Sequence, residues 1–76
     1  MPSNIPNAVV NNVINKDMTP IRAWREHLGL TQTEVAHRLG ISQSAYAQQE
    51  AKESVRKSTR EIIAKALGIV PEQLAV

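Results

Sequence analysis

Between Thr31 and Glu50, TQTEVAHRLGISQSAYAQQE, apolar positions recur at helical rather than strand spacing, and one glycine interrupts them. Val35, Ala36 and Leu39 fall on one helix face at about 100° per residue. Thr31 and Glu34 have the S/T-x-x-E spacing of a capping box, so this helix begins near Gln32. Gly40 stands where a left-handed residue would end it after about two turns. Ser42 is placed to cap a second helix running through Gln43 to Glu50, which makes Gly40 and Ile41 a sharp corner. In the second helix Gln43, Ser44, Ala47 and Gln48 share one arc, while Ala45 and Tyr46 lie toward the opposite side.

The same periodicity extends to both sides. Met18-Thr19-Pro20 opens a helix with Thr19 as N-cap and Pro20 at the first helical position; Ile21, Trp24, Arg25 and Leu28 share one side and Gly29 closes it. Trp24 reads as an anchor under the core. Ser58-Thr59-Arg60-Glu61 repeats the capping-box spacing and predicts a helix with Ile62, Ile63, Ala66 and Leu67 inward, ending at Gly68. Pro71 opens a last turn to Leu74. Upstream, residues 1–4 read as frayed. Ile5, Val9, Val10, Val13 and Ile14 then recur at helical spacing and predict a helix from about Pro6 to Asn15. Its asparagines and β-branched residues are weak helix formers, so it needs something to pack against. The stripe is suited to covering the domain, joining two protomers or binding another protein.

Composition narrows the function classes. A chain of 76 residues is one domain with thin margins, burying about 60% of its unfolded surface. With one Trp, one Tyr and no Phe, the core must come from Leu, Ile, Val and Ala, which suits a helical bundle better than a roomy enzyme cleft. No cysteine removes disulfides, thiolate metal sites and a thiol nucleophile, and fits a cytoplasmic protein. No apolar run approaches the ~18 residues of a membrane span, so no membrane partner is expected. His27 and His37 lie on expected surface faces of different helices, and no nucleophile, base or phosphate-cradling loop accompanies them. No enzyme activity, cofactor or metal is expected.

The net charge of +2 permits phosphate binding without demanding it, so its distribution matters more. Lys52, Arg56, Lys57 and Arg60 crowd one stretch that holds a single acid, Glu53. On the arc of the second helix, Gln43, Ser44 and Gln48 carry amides and a hydroxyl but no charge. Glutamine can pair with the major-groove edge of adenine through two hydrogen bonds, and serine lets the backbone approach. A solvated helix face is the competing reading.

Leu28-Gly29-Leu30-Thr31-Gln32, Glu34-Val35-Ala36, Leu39-Gly40-Ile41-Ser42, Glu50 and Ala66-Leu67-Gly68-Ile69 together resemble the XRE group of helix-turn-helix proteins, the phage-repressor type, over roughly Ile21 to Leu74 without a gap. The resemblance implies an all-α, compact five-helix domain over residues 19–76, and the apolar stripe upstream adds a partly helical segment over residues 1–18. It implies a homodimer on double-stranded DNA, with Gln43, Ser44 and Gln48 facing base edges and Gln32, Arg56 and Lys57 on phosphates. Arg25 and Glu50 match a pair that ties the first helix of the domain to the recognition helix. Gln49 stands where the family has an apolar residue, Tyr46 where it has Ile or Val, and Ala51-Lys52 replaces a glycine-containing turn.

Pro20 to Gln49 also resembles the antitoxin members of that group, which silence their own operon and neutralise a partner toxin. The expected function is therefore a sequence-specific transcription regulator, an autorepressor on a pseudo-palindromic operator and an antitoxin. On that reading the N-terminal stripe is the candidate toxin-binding element. The alternative is a protein-interaction module that uses the fold without reading DNA. Ile69, Leu74 and Val76 are candidates for the dimer contact, or else for core closure.

Overall fold

A computed structural model of the protein describes residues 5–74. Five α-helices and a terminal 3-10 turn make up its regular structure: α1 (Asn7–Asn15), α2 (Pro20–His27), α3 (Gln32–Leu39), α4 (Gln43–Ala51), α5 (Lys57–Leu67) and the turn Pro71–Leu74. The Cα atoms span 31 × 25 × 21 Å. The fold is the expected all-α phage-repressor-like arrangement with one added N-terminal helix.

Most helix starts follow local chemistry. The Thr19 hydroxyl accepts from the Arg22 N–H with Pro20 at the first helical position. At α3 the capping box closes in both directions, Thr31 to the Glu34 N–H and the Glu34 carboxylate to the Thr31 N–H. Ser42 accepts from the Ala45 N–H at the head of α4. The second expected box, Ser58 to Glu61, does not form. The α5 helix begins at Lys57 with Arg56 as an extended N-cap and no side-chain cap, which places Ser58 and Thr59 inside the first turn.

Burial of Ile63, Ala64 and Leu67 sets the rotation of α5. Ile62, expected inward, is 58% exposed because it lies well over 90° around the helix from the centre of that face. Leu28 likewise comes out 40% exposed, since α2 ends at His27 and the chain turns at Gly29 (φ +72°). Leu74 is buried, so it closes the core rather than offering itself to a second chain, and Ile69 packs against the same core half-buried. Residues 1–4 and Val76 lie outside the described residues.

The core is built from Val9, Ile21, Trp24, Val35, Tyr46, Ile63, Leu67 and Leu74 with small alanines between them. Trp24 fills the anchor role, and its indole N–H donates to the Gln73 carbonyl at 2.7 Å, tying α2 to the terminal turn. Val9 is 0% exposed, and Ile5 and Val13 pack around the same core, so the stripe on α1 covers the domain. The helix stops where Asp17 adopts φ +55°, a left-handed conformation that a short polar side chain tolerates better than most. The Lys16 and Met18 N–H groups then both reach back to the Asn12 carbonyl, at 3.2 and 3.1 Å. That turn aims the chain at Thr19 and the start of α2.

If α1 is integral to the domain, Val9→Ala should lower the stability of the whole cooperative unit by about 2 kcal/mol. Ile14→Ala, at a site 70% exposed, should change it by less than about 0.5 kcal/mol. Urea unfolding followed by Trp24 fluorescence measures both. A Val9→Ala chain as stable as the parent would mean that α1 folds separately from the core.

Candidate nucleic-acid interface

Helices α3 and α4 meet at a corner that Gly40 makes possible. Its φ of +72° lets its own N–H reach the His37 carbonyl and the Ile41 N–H reach Ala36, at 3.1 and 3.0 Å. One face of α4 is anchored by Tyr46 and Glu50, both buried. The arc that starts beside Glu50 and runs from Gln43 through Ala47 and Ser44 to Gln48 leaves Gln43, Ser44 and Gln48 exposed with Ala47 half-buried between them. The arc is therefore open to a partner along its whole length.

Gln43 is not a free side chain. Its Nε2 donates to Gln32 Oε1 at 2.6 Å, and Gln32 Nε2 donates to Glu50 Oε1 at 3.0 Å. Gln32, expected on a phosphate, is thus half-buried and already spends its carbonyl oxygen and one amide hydrogen inside the protein. Its second amide hydrogen and its backbone N–H, among the unpaired donors at the start of α3, remain available. Nothing in residue type or periodicity announced the Gln32–Gln43 contact. The available signal was that each opens one of two successive helices that meet at a tight corner.

Glu50 is 3% exposed, and every acceptor it owns is used. Arg25 Nε donates to Oε2 at 2.6 Å and Arg25 Nη2 to Oε1 at 3.2 Å, while the Glu50 carbonyl accepts the Thr19 hydroxyl at 2.6 Å. Arg25 also donates Nη1 to the Leu30 carbonyl at 2.8 Å. The pair therefore joins α2, the α2–α3 turn and α4. Beside it a groove of about 500 Å³ opens between Met18-Thr19 and α4, lined also by Arg22, Gln32 and Ala47. Arg22 in that groove was not singled out in the sequence because its i,i+4 pairing with Glu26, at 2.7 Å, looks like ordinary surface chemistry.

Arg56 and Lys57 are exposed at the head of α5, at the far end of the loop from α4. Helix N-termini repel cations and leave N–H donors unpaired, so an uncapped start carrying two bases is locally unfavourable without an anion. The loop before it also departs from a glycine turn. Lys52 ends α4 in an extended conformation (φ −76°, ψ 133°), and Gln49 is half-buried beside Val55.

The family model for helix-turn-helix domains matches residues 21–74, well over half the chain. The chain belongs to the XRE-type helix-turn-helix family. No curated protein and no solved structure matches it. This is a family of DNA-binding regulators, and the match spans α2 to the terminal turn, leaving α1 and Thr19 outside it. Among the described residues no cluster of His, Asp or Glu is arranged to hold a metal ion, and no helix is long and apolar enough to cross a membrane.

The electrostatics of this XRE-type domain centre on Glu50. Burial alone would raise its carboxyl, but the hydrogen bonds from Arg25 and Gln32, with the neighbouring Tyr46 hydroxyl and the Arg25 charge, hold it below its ordinary value. The Glu50 hydrogen bond likewise raises the Arg25 guanidinium. Tyr46, 0% exposed, has its hydroxyl buried without a hydrogen bond of good geometry; burial and then the neighbouring carboxylate push it up.

A carboxyl depressed in the folded state contributes stability that is present above its unfolded value of about 4.3 and lost as pH falls through the folded value. Thermal unfolding should therefore show an acid limb starting near pH 4.3. Glu50→Gln should cost about 3 kcal/mol at pH 7 by leaving the Arg25 charge unpaired, with the difference from the parent shrinking toward pH 3. A constant difference between the two across that range would remove Glu50 as the source.

Proposed function

We propose that the protein is a sequence-specific regulator that reads double-stranded DNA with Gln43, Ser44 and Gln48 and represses its own promoter. The observation that carries this reading is the state of Gln43. Held by Gln32 through one amide hydrogen, it keeps its Oε1 and second amide hydrogen for the two hydrogen bonds that adenine offers in the major groove. A side chain fixed in advance loses less conformational freedom on binding than a free one.

Around that arc, Gln32 offers its remaining donors to a phosphate, and Arg56 with Lys57 offer charge and the open head of α5 to another. The protomer's 31 Å length suits two copies side by side on a pseudo-palindromic operator, whose half-sites lie about 34 Å apart. Its cellular role, on this proposal, is that of an antitoxin controlling its own operon. Support for that role comes from the resemblance over Pro20 to Gln49. With Val9 buried and Val13 packed on the core, the apolar surface that α1 still offers a toxin centres on Ile14.

One observation favours the alternative, a protein-interaction module. Ile62 is exposed beside Leu39, between Arg38 and Lys65, and DNA reading has no use for an apolar side chain there.

Binding to duplex DNA from upstream of its own gene, against a scrambled duplex at several salt concentrations, separates the readings. The parent should discriminate by at least ~10³-fold and weaken steeply with salt. Gln43→Ala with Gln48→Ala should keep the salt slope and lose the discrimination. Equal, weak binding to both duplexes would discard DNA reading and direct attention to a protein partner.

A further inference from the structure

We infer that Thr19 is a positioning residue for base reading, acting on Gln43 through the end of the recognition helix. This rests on the DNA-reading assignment above, and it concerns a residue that precedes the family-matched span.

The last carbonyls of a helix have no partners within it, and a left-handed residue commonly supplies the N–H groups that satisfy them. At the end of α4 that device is absent, because Lys52 is extended and no glycine follows Glu50. The Glu50 carbonyl is instead satisfied from another helix, by the Thr19 hydroxyl at 2.6 Å. The same hydroxyl oxygen accepts the Arg22 N–H at 3.3 Å, so the cap of α2 and the stop of α4 are one group.

From that point the hydrogen bonds are continuous. Glu50 presents Oε1 to Gln32, and Gln32 presents Oε1 to Gln43. Thr19 holds the backbone of Glu50 and Arg25 holds its carboxylate, so the two fix both the axial position and the rotation of the last turn of α4. Release of the carbonyl lets that turn move, and the displacement is passed to Gln32 and to the amide that faces the base. The α1–α2 turn, with Asp17 left-handed and Met18 bonded back to Asn12, is what delivers Thr19 to this place. The segment preceding the family domain is in this way part of the reading machinery.

Three substitutions separate the tie from the cap. Thr19→Ser keeps both functions. Thr19→Asp keeps an acceptor for the Arg22 N–H but has no hydrogen to donate to Glu50, and Thr19→Val keeps neither. In the free protein, the Gln43 side-chain amide resonances should move in the Asp and Val variants and stay in place in the Ser variant, with folding checked by melting. The ratio of affinities for the own-promoter and scrambled duplexes, at one salt concentration, should fall about tenfold in the Asp and Val variants and be kept by Ser. Using the ratio cancels the general repulsion between Asp and phosphates.

Parent-like resonances and an unchanged ratio in the Asp variant would overturn the inference, as would an equal loss in Ser. Should Thr19→Val fail to fold, the Asp and Ser pair decides alone. If the parent itself does not discriminate between duplexes, the DNA-reading assignment has failed. The resonances of free Thr19→Asp then decide whether the tie to Gln43 exists.

Discussion

A buried carboxylate leaves a small protein little choice about its surroundings. Glu50 is almost wholly removed from water, and an unpaired charge in that position would cost several kcal/mol, a large part of the stability of a domain this size. It is tolerated because Arg25, Gln32 and Thr19 satisfy its carboxylate and carbonyl together. Those partners come from the heads of α2 and α3 and from the last turn of α2, so all three helix segments must be in place at once. Such a pair adds little net stability over an apolar substitute. Its effect here is to tie α4 to α2 and α3 in one arrangement.

The surface bears the marks of that arrangement. Gln43 and Gln32 are tethered to the buried centre, so the Gln43 end of the exposed arc of α4 is an outward extension of the core polar network. Other groups are less fully satisfied. The head of α5 has bases where acids or a hydroxyl cap would be favoured, and the Tyr46 hydroxyl is buried without a well-formed bond. In the first case a phosphate would answer the deficiency. In the second, a ring in place of the family's Ile or Val fills the core and carries its hydroxyl in as an extra.

Particular residues show what could be read from the chain alone. Thr31 with Glu34, Gly40, Ser42, Thr19 with Pro20, Gly29 and Gly68 act within one or two turns of themselves, so spacing was enough to place every helix boundary they govern. The exposed arc of Gln43, Ser44 and Gln48 was equally legible, because helical geometry is fixed once the cap is known. Ser58 to Glu61 had the right letters and failed. A cap is a contest between neighbouring starts, and the helix opens at Lys57, where the Arg56 carbonyl accepts the Arg60 N–H at 2.9 Å.

Sequence by itself thus determined the helix order, the corner between α3 and α4 and the face that α4 turns outward, since each depends on interactions between residues a few positions apart. Only the tertiary structure decided that the α1 stripe is spent on the domain, that Ile62 points out and that Leu74 closes the core. It alone joined Thr19 to Glu50, Glu50 to Gln32 and Gln32 to Gln43. These contacts link positions 31, 18 and 11 residues apart, and no local pattern encodes such a distance. They exist because one buried charge had to find every partner it needed.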